Sequence, residues 1–220
     1  MENTLNKMYN TCIRWEIFTM DLIEKKVIDY INDVDDRSSA PGGGSVASLV
    51  GALGIALAKM LAHFSFDKKK FKDADEKKKN QFITAFNELD QYKDELIKGV
   101  DDDAISYNAV MKAYASKDQE EIQKALNYSA FVALEMQRSA YNGLKYTEKL
   151  IELGNKYLYS DLISAAILLV SCVEMASLNV VANASSITDE TVKNNYLNES
   201  NKFILNSKNL KRKIIKKING

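Results

Sequence analysis

A single proline, Pro41, serves all 220 residues of the chain. Proline breaks helix interiors and is common in turns, so a chain with one proline reads as overwhelmingly helical. It stands in Ser38-Ser-Ala-Pro-Gly-Gly-Gly-Ser45, which also holds three of the nine glycines. A strongly apolar helix follows at once, Val46-Ala-Ser-Leu-Val-Gly-Ala-Leu-Gly-Ile-Ala-Leu-Ala58. A glycine loop feeding a helix N-terminus lets main-chain N–H groups approach an anion or a carbonyl oxygen. It lacks the Gly-Lys-Ser/Thr ending of a P-loop, and no strand precedes it. On the residues alone the stretch is either a ligand-binding loop or a flexible interhelix turn.

Composition narrows the chemistry. Lys+Arg and Asp+Glu both total 30, which argues against a nucleic-acid binder. Cys12 and Cys172 are too few for a disulfide framework or a metal site, and they fit a reducing, cytoplasmic setting. The single histidine, His63, excludes a multi-histidine metal site and reads as a packing or capping residue. Chemistry must then rest on carboxylates, lysines, hydroxyls, amides and backbone. Met1 to Thr19 is polar, without the apolar run of a secretory signal, and reads as an extension outside the fold. Residues 20–220 are expected to form one helical domain. Val46 to Phe64 is interrupted by Lys59, and Leu162 to Ala184 by Glu174, Asn179 and Asn183. Neither gives an uninterrupted transmembrane span, so both read as core helices and no membrane is expected.

Periodicity predicts a helix over Met20 to Val34, with Ile23, Val27, Ile31 and Val34 on its buried face. A second runs roughly from Gly44 to Phe66, with a stripe of small residues (Ala47, Gly51, Gly54, Ala58, Ala62) made for close approach by another helix or a second subunit. A long helix carries Phe82, Ile83, Phe86, Leu89, Tyr92 and Leu96, and Gly99 is expected to bend or interrupt it. Ser116 with Gln119 suggests a capping box for a helix toward Leu153, with Gly154 as its stop. Ser160-Asp161 has the character of an N-cap for the helix through Ala184, and Thr188-Asp-Glu190 begins a last amphipathic helix. No strand pattern of useful length is present, so the fold class is all-α, a bundle of long helices.

Several polar groups invite a chemical role. Asp101, Asp102 and Asp103 offer a general acid or base, yet in a helix they point three ways, and acids after Gly99 would equally suit a helix start. Lys68 to Lys70 either hold a carboxylate or form a solvated turn. Lys59 and Glu174 are lone charges in apolar helices that snorkel outward or pair with each other. Asn179 and Asn183 share one helix face, and buried amides need partners.

Taken in order, Ala40-Pro-Gly-Gly-Gly-Ser-Val46, the small-residue helix, Asp67-Lys-Lys-Lys-Phe71, Val100-Asp-Asp-Asp-Ala104, Gly154-Asn155 with Ser160-Asp161, and Asn179 through Asn183 to Thr188-Asp189 resemble the cyclodeaminase/cyclohydrolase family of folate enzymes. The resemblance covers Met20 to about Arg212. It departs from the family pattern at Val132-Ala133-Leu134, where Val-Pro-Leu is usual, at His63, where asparagine is common, and at Asp67, where glycine often stands.

The resemblance implies an all-α, dimeric enzyme acting on one-carbon tetrahydrofolates. The reaction would be closure of 5-formiminotetrahydrofolate to 5,10-methenyltetrahydrofolate with loss of ammonia, or hydrolysis of the methenyl compound to 10-formyltetrahydrofolate. It matches Asp103 to the catalytic aspartate. It matches Pro41, Gly42, Gly43, Gly44, Ser45, Asn155, Ser160, Asp161, Asn179 and Asn183 to the substrate pocket, with Lys69 at the rim for the glutamate tail. No metal and no cofactor beyond the folate substrate is implied. The rival from another class is a non-catalytic helical module that binds folate or a partner protein.

Overall fold

The computed structural model describes residues 21–220; the expected N-terminal extension lies outside them. Every regular element among the described residues is helical. In chain order these are α1 (Val27–Val34), α2 (Gly43–His63), the short α3 (Lys69–Lys72), α4 (Glu76–Ser116), α5 (Gln119–Lys149), a 3-10 turn (Lys156–Leu158), α6 (Tyr159–Ala184) and α7 (Glu190–Asn219).

The centre is a layer of α2, α4, α5 and α6, with α7 laid against α5 and α6. The small-residue stripe of α2 is consumed inside the chain. A Cβ at Gly54 would press on Leu168, Leu169 and the Ala165 carbonyl, and one at Gly51 on Cys172 and Leu96. The close neighbour is therefore α6, not a second subunit. Contacts step from Gly44–Asn179 through Gly51–Cys172 to Gly54–Ala165, so α2 and α6 run antiparallel.

Several local expectations change. Gly99 does not interrupt its helix: α4 runs unbroken over 41 residues. Gly99 is there for close approach: a Cβ would collide with Ser48 Oγ, which donates to the Leu96 carbonyl at 2.6 Å. Ile83 is exposed, off the buried Phe82–Leu89–Leu96 face. The α5 cap is Asp118, accepting from the Glu120 and Glu121 N–H groups, because a carboxylate there reaches both; Ser116 ends α4 instead. Helix α5 stops at Lys149, well before Gly154. Ser160 and Asp161 fall inside the first turn of α6, after the 3-10 turn that Asn155 caps through the Tyr157 N–H. Lys59 and Glu174 do not meet. Lys59 pairs with Asp90 above the Phe86 ring, and Glu174 with Lys208 at 2.7 Å.

Helix α1 starts at Val27, later than expected, and its apolar stripe faces outward: Val27 is 77% exposed and Ile31 54%. The residue it buries is Tyr30. Helix α2 and the segment Lys156–Ala184 are, contrary to expectation, long and apolar enough to cross a membrane by length and composition. Of their apolar windows, 61% and 50% are buried inside the fold, as in core helices. The remainder forms an outward face with Leu53 on α2 and Ile167, Leu178 and Val181 on α6.

Candidate active site

The N-terminus of α2 meets the middle of α4. Gly42 occupies the N-cap position and supplies no side chain. The cap comes from Asp103, whose Oδ2 accepts the Ser45 N–H at 2.9 Å and lies 3.3 Å from Ser45 Oγ. The anion expected at this helix N-terminus is thus a side chain of the protein itself. Ser45 Oγ also donates to the Val100 carbonyl at 2.7 Å. With Ser48 on Leu96, it pins the start of α2 to α4 on either side of Gly99.

From the other side, Asn179 on α6 donates its amide to Asp103 Oδ1 at 3.3 Å, and Asn183 donates to the Asn179 carbonyl at 2.9 Å. Gly44 stands between: a Cβ there would overlap the Asp103 carboxylate and the Asn179 amide. Of the loop glycines only Gly44 serves close approach, and none is required by unusual backbone, since no described glycine has positive φ. Gly42 and Gly43 face open space, with nothing within 4 Å of a Cβ built on either.

Burial raises the Asp103 carboxyl above its ordinary value, while the bonds from Ser45 and Asn179 pull it part of the way back. A half-buried carboxyl tuned upward, with several donors fixing its orientation, is equipped to carry a proton in either direction.

The triplet divides its labour. Asp101 accepts the Leu22 N–H at 2.8 Å, docking the segment before α1 onto α4. Asp102 pairs with Lys98 at 3.3 Å on another face. All three sit in the helix interior, so a helix-start role is excluded for them.

The residues expected in one pocket fall into two groups. Pro41 to Ser45, Asp103, Asn179 and Asn183 gather at the start of α2. Asn155, Ser160, Asp161 and Lys69 gather at its far end, where the Asn155 N–H donates to Ser65 Oγ at 2.8 Å just beyond His63. Along α6 the step from Asp161 to Asn179 is about 27 Å at about 1.5 Å per residue. One chain does not bring the two groups together. Lys69 is exposed at the head of α3, and His63 packs edge-on against Phe86 at 4.9 Å.

The residue that sequence reasoning missed is Tyr30. It occupies the inward position of α1 between the apolar residues that were expected to be buried, and its type carries no local signal of that placement.

The chain matches the formiminotransferase-cyclodeaminase family model over residues 26–202. It is 31% identical to the formimidoyltransferase-cyclodeaminase of Gallus gallus over 181 residues, 78% of this chain and 33% of that protein. The chain therefore spans about a third of the length of such relatives. It is 27% identical to the methenyltetrahydrofolate cyclohydrolase of Methylorubrum extorquens, covering 77% of this chain and 84% of that one. Its fold resembles the crystal structure of formiminotetrahydrofolate cyclodeaminase from Thermotoga maritima, with a TM-score of 0.82 and 31% identity over 90% of this chain and 98% of that one.

Proposed function

The chain belongs to the formiminotransferase-cyclodeaminase family, and from that premise we propose that it closes 5-formiminotetrahydrofolate to 5,10-methenyltetrahydrofolate with release of ammonia. The observation that carries this reading is the Asp103 carboxyl, held between Ser45 and Asn179 beside a glycine loop with open space in front. In the reaction N10 attacks the carbon of the protonated formimino group (–CH=NH2+), giving a tetrahedral carbon that bears an –NH2 group. Asp103 takes the N10 proton and delivers it to that amine, whose C–N bond breaks as ammonia leaves. Protons balance without a redox or metal step. The loop N–H groups and the Asn179 and Asn183 amides would hold the pterin's amide-rich edge, and Lys69 would meet the glutamate carboxylates.

A second reaction is favoured by the similarity to a cyclohydrolase along most of that protein's length. Here water adds to the methenyl carbon and Asp103 takes one of its protons; the C–N5 bond then breaks as the new hydroxyl becomes the formyl C=O and its proton passes to N5, giving 10-formyltetrahydrofolate. The two are separated by following the methenyl absorbance with each folate. A rise from the formimino compound supports the deaminase, and faster decay of the methenyl compound the hydrolase. Silence in both, with thermal stabilisation by folates, would leave a binding module; no stabilisation at all would leave an interaction module.

The proposal includes a homodimer. Its support is the outward apolar face of α2 and α6 and the separation of the two residue groups along those helices. A two-fold axis perpendicular to α2 would set its N-terminal end against the far end of the partner's α2, completing each site with residues from both chains. A cytoplasmic setting belongs to the same reading, in keeping with Cys172 as a buried free thiol.

A further inference from the structure

Helix α1 buries a phenol where its apolar residues were expected. Tyr30 is 7% exposed, whereas Val27, Ile28, Ile31 and Val34 of the same helix are all exposed. The segment is docked by the Leu22 N–H on Asp101, and Tyr30 packs with Leu22, Val100 and Ala104, with Val46 at the edge. Val100 and Ala104 flank the acid triplet on α4, and Val46 adjoins Ser45. The cluster that holds the ring therefore borders the Asp103–Ser45 contact from both α4 and α2.

Its hydroxyl is buried and has no hydrogen-bond partner among the described residues. A desolvated hydroxyl without a partner costs stability. Burial, then the charges of Asp103 and Asp101, push the phenol up to about 12. It stays protonated at neutral pH and is a donor with nothing to donate to.

We infer that Tyr30 is a substrate-positioning residue whose O–H donates to an oxygen or nitrogen acceptor of the bound folate, fixing that atom beside Asp103. This rests on the one-carbon folate reading above. The occupant it calls for is a neutral heteroaromatic ligand with an acceptor on its edge. An anion is disfavoured, because two carboxylates already face this position.

Tyr30→Phe removes the hydroxyl and keeps the ring. The expected result is an unliganded melting temperature unchanged or raised. KM for the folate rises about 3- to 10-fold with kcat within about 2-fold, the size of one neutral hydrogen bond. The thermal stabilisation given by 5-formyltetrahydrofolate, a chemically stable probe, falls in parallel. If the wild type turns over folate and Tyr30→Phe leaves KM unchanged, the inference is overturned. A lowered melting temperature in the unliganded variant overturns it too, since the hydroxyl would then have a partner in the protein. A wild type that neither binds nor turns over any folate overturns both this inference and the functional reading beneath it.

Discussion

The Asp103 carboxylate stands where a capping side chain of α2 would stand, its Oδ2 accepting the Ser45 N–H at 2.9 Å from 58 positions away in the sequence. Asp103→Asn retains an oxygen acceptor for that N–H and loses the proton carrier. The fold is expected to persist while turnover falls about 10²–10⁴-fold. Asp102→Asn removes only a pairing with Lys98 and should change stability by less than about 1 kcal/mol, with activity nearly intact. Steady-state kinetics beside denaturant melts distinguish the two. Equal, mild effects would move the proton carrier away from Asp103.

Burial raises Asp103, so the folded state holds that proton more tightly than the unfolded chain does. Its contribution to stability is fully present below the unfolded carboxylate value of about 4 and is lost as pH rises through the higher folded value. Asp103→Asn abolishes this titration. The variant should gain stability relative to wild type as pH climbs through that window, measured by urea midpoints at a series of pH values.

Glu148 titrates with the opposite sign. Burial pushes it up, but Lys217 and Lys213 together outweigh burial and leave it below its ordinary value. Its contribution is present above the unfolded carboxylate value and is lost as pH falls through the folded one. Glu148→Gln should therefore weaken the protein at neutral pH and converge on wild type in acid.

The three loop glycines should respond differently. Gly44→Ala drives a methyl into Asp103 and Asn179, and it is expected to abolish turnover and lower the melting temperature. Gly42→Ala and Gly43→Ala meet nothing in the unliganded chain and should leave melting unchanged. If substrate lies against the loop, those two raise KM. Unchanged kinetics in both would show the open space to be empty during turnover.

Leu53→Glu with Leu178→Glu places charge on the outward apolar face. Light scattering should change from a dimer to the 24.7 kDa monomer, with helical circular dichroism retained and activity lost. Mixing Asp103→Asn with Asp161→Asn under exchange should restore about a quarter of wild-type activity, because half the dimers would carry one intact site of two. No recovery would overturn the reading that each site is shared between two chains.

The helical class was legible from the lone proline, and the motif match singled out Asp103, the acid that the fold sets against Ser45 and Asn179. The burial of α1 was not. Val27 and Ile31 carry the right spacing for a core face, but periodicity reports only that a face exists, not which neighbour covers it. The cap of α2 was invisible locally because it comes from another helix. Gly99 misled for the same reason: a helical glycine reads as a break until Ser48 is known to lie against it. The partition of the pocket residues between two ends of α2 is a matter of tertiary distance, which motif order does not encode.

The glycines of α2 act as a register key. Gly51 and Gly54 admit Cys172, Leu169 and the Ala165 carbonyl only at their own positions. Sliding α2 by one residue would shift it about 1.5 Å and turn it about 100°, presenting bulkier neighbours to gaps cut for hydrogen atoms. The same slip would carry the Ser45 N–H away from Asp103. Van der Waals fit in the middle of the rod thus sets the tolerance of a hydrogen bond two to three turns away, and substitutions there are expected to appear as losses in rate before they appear as losses of fold.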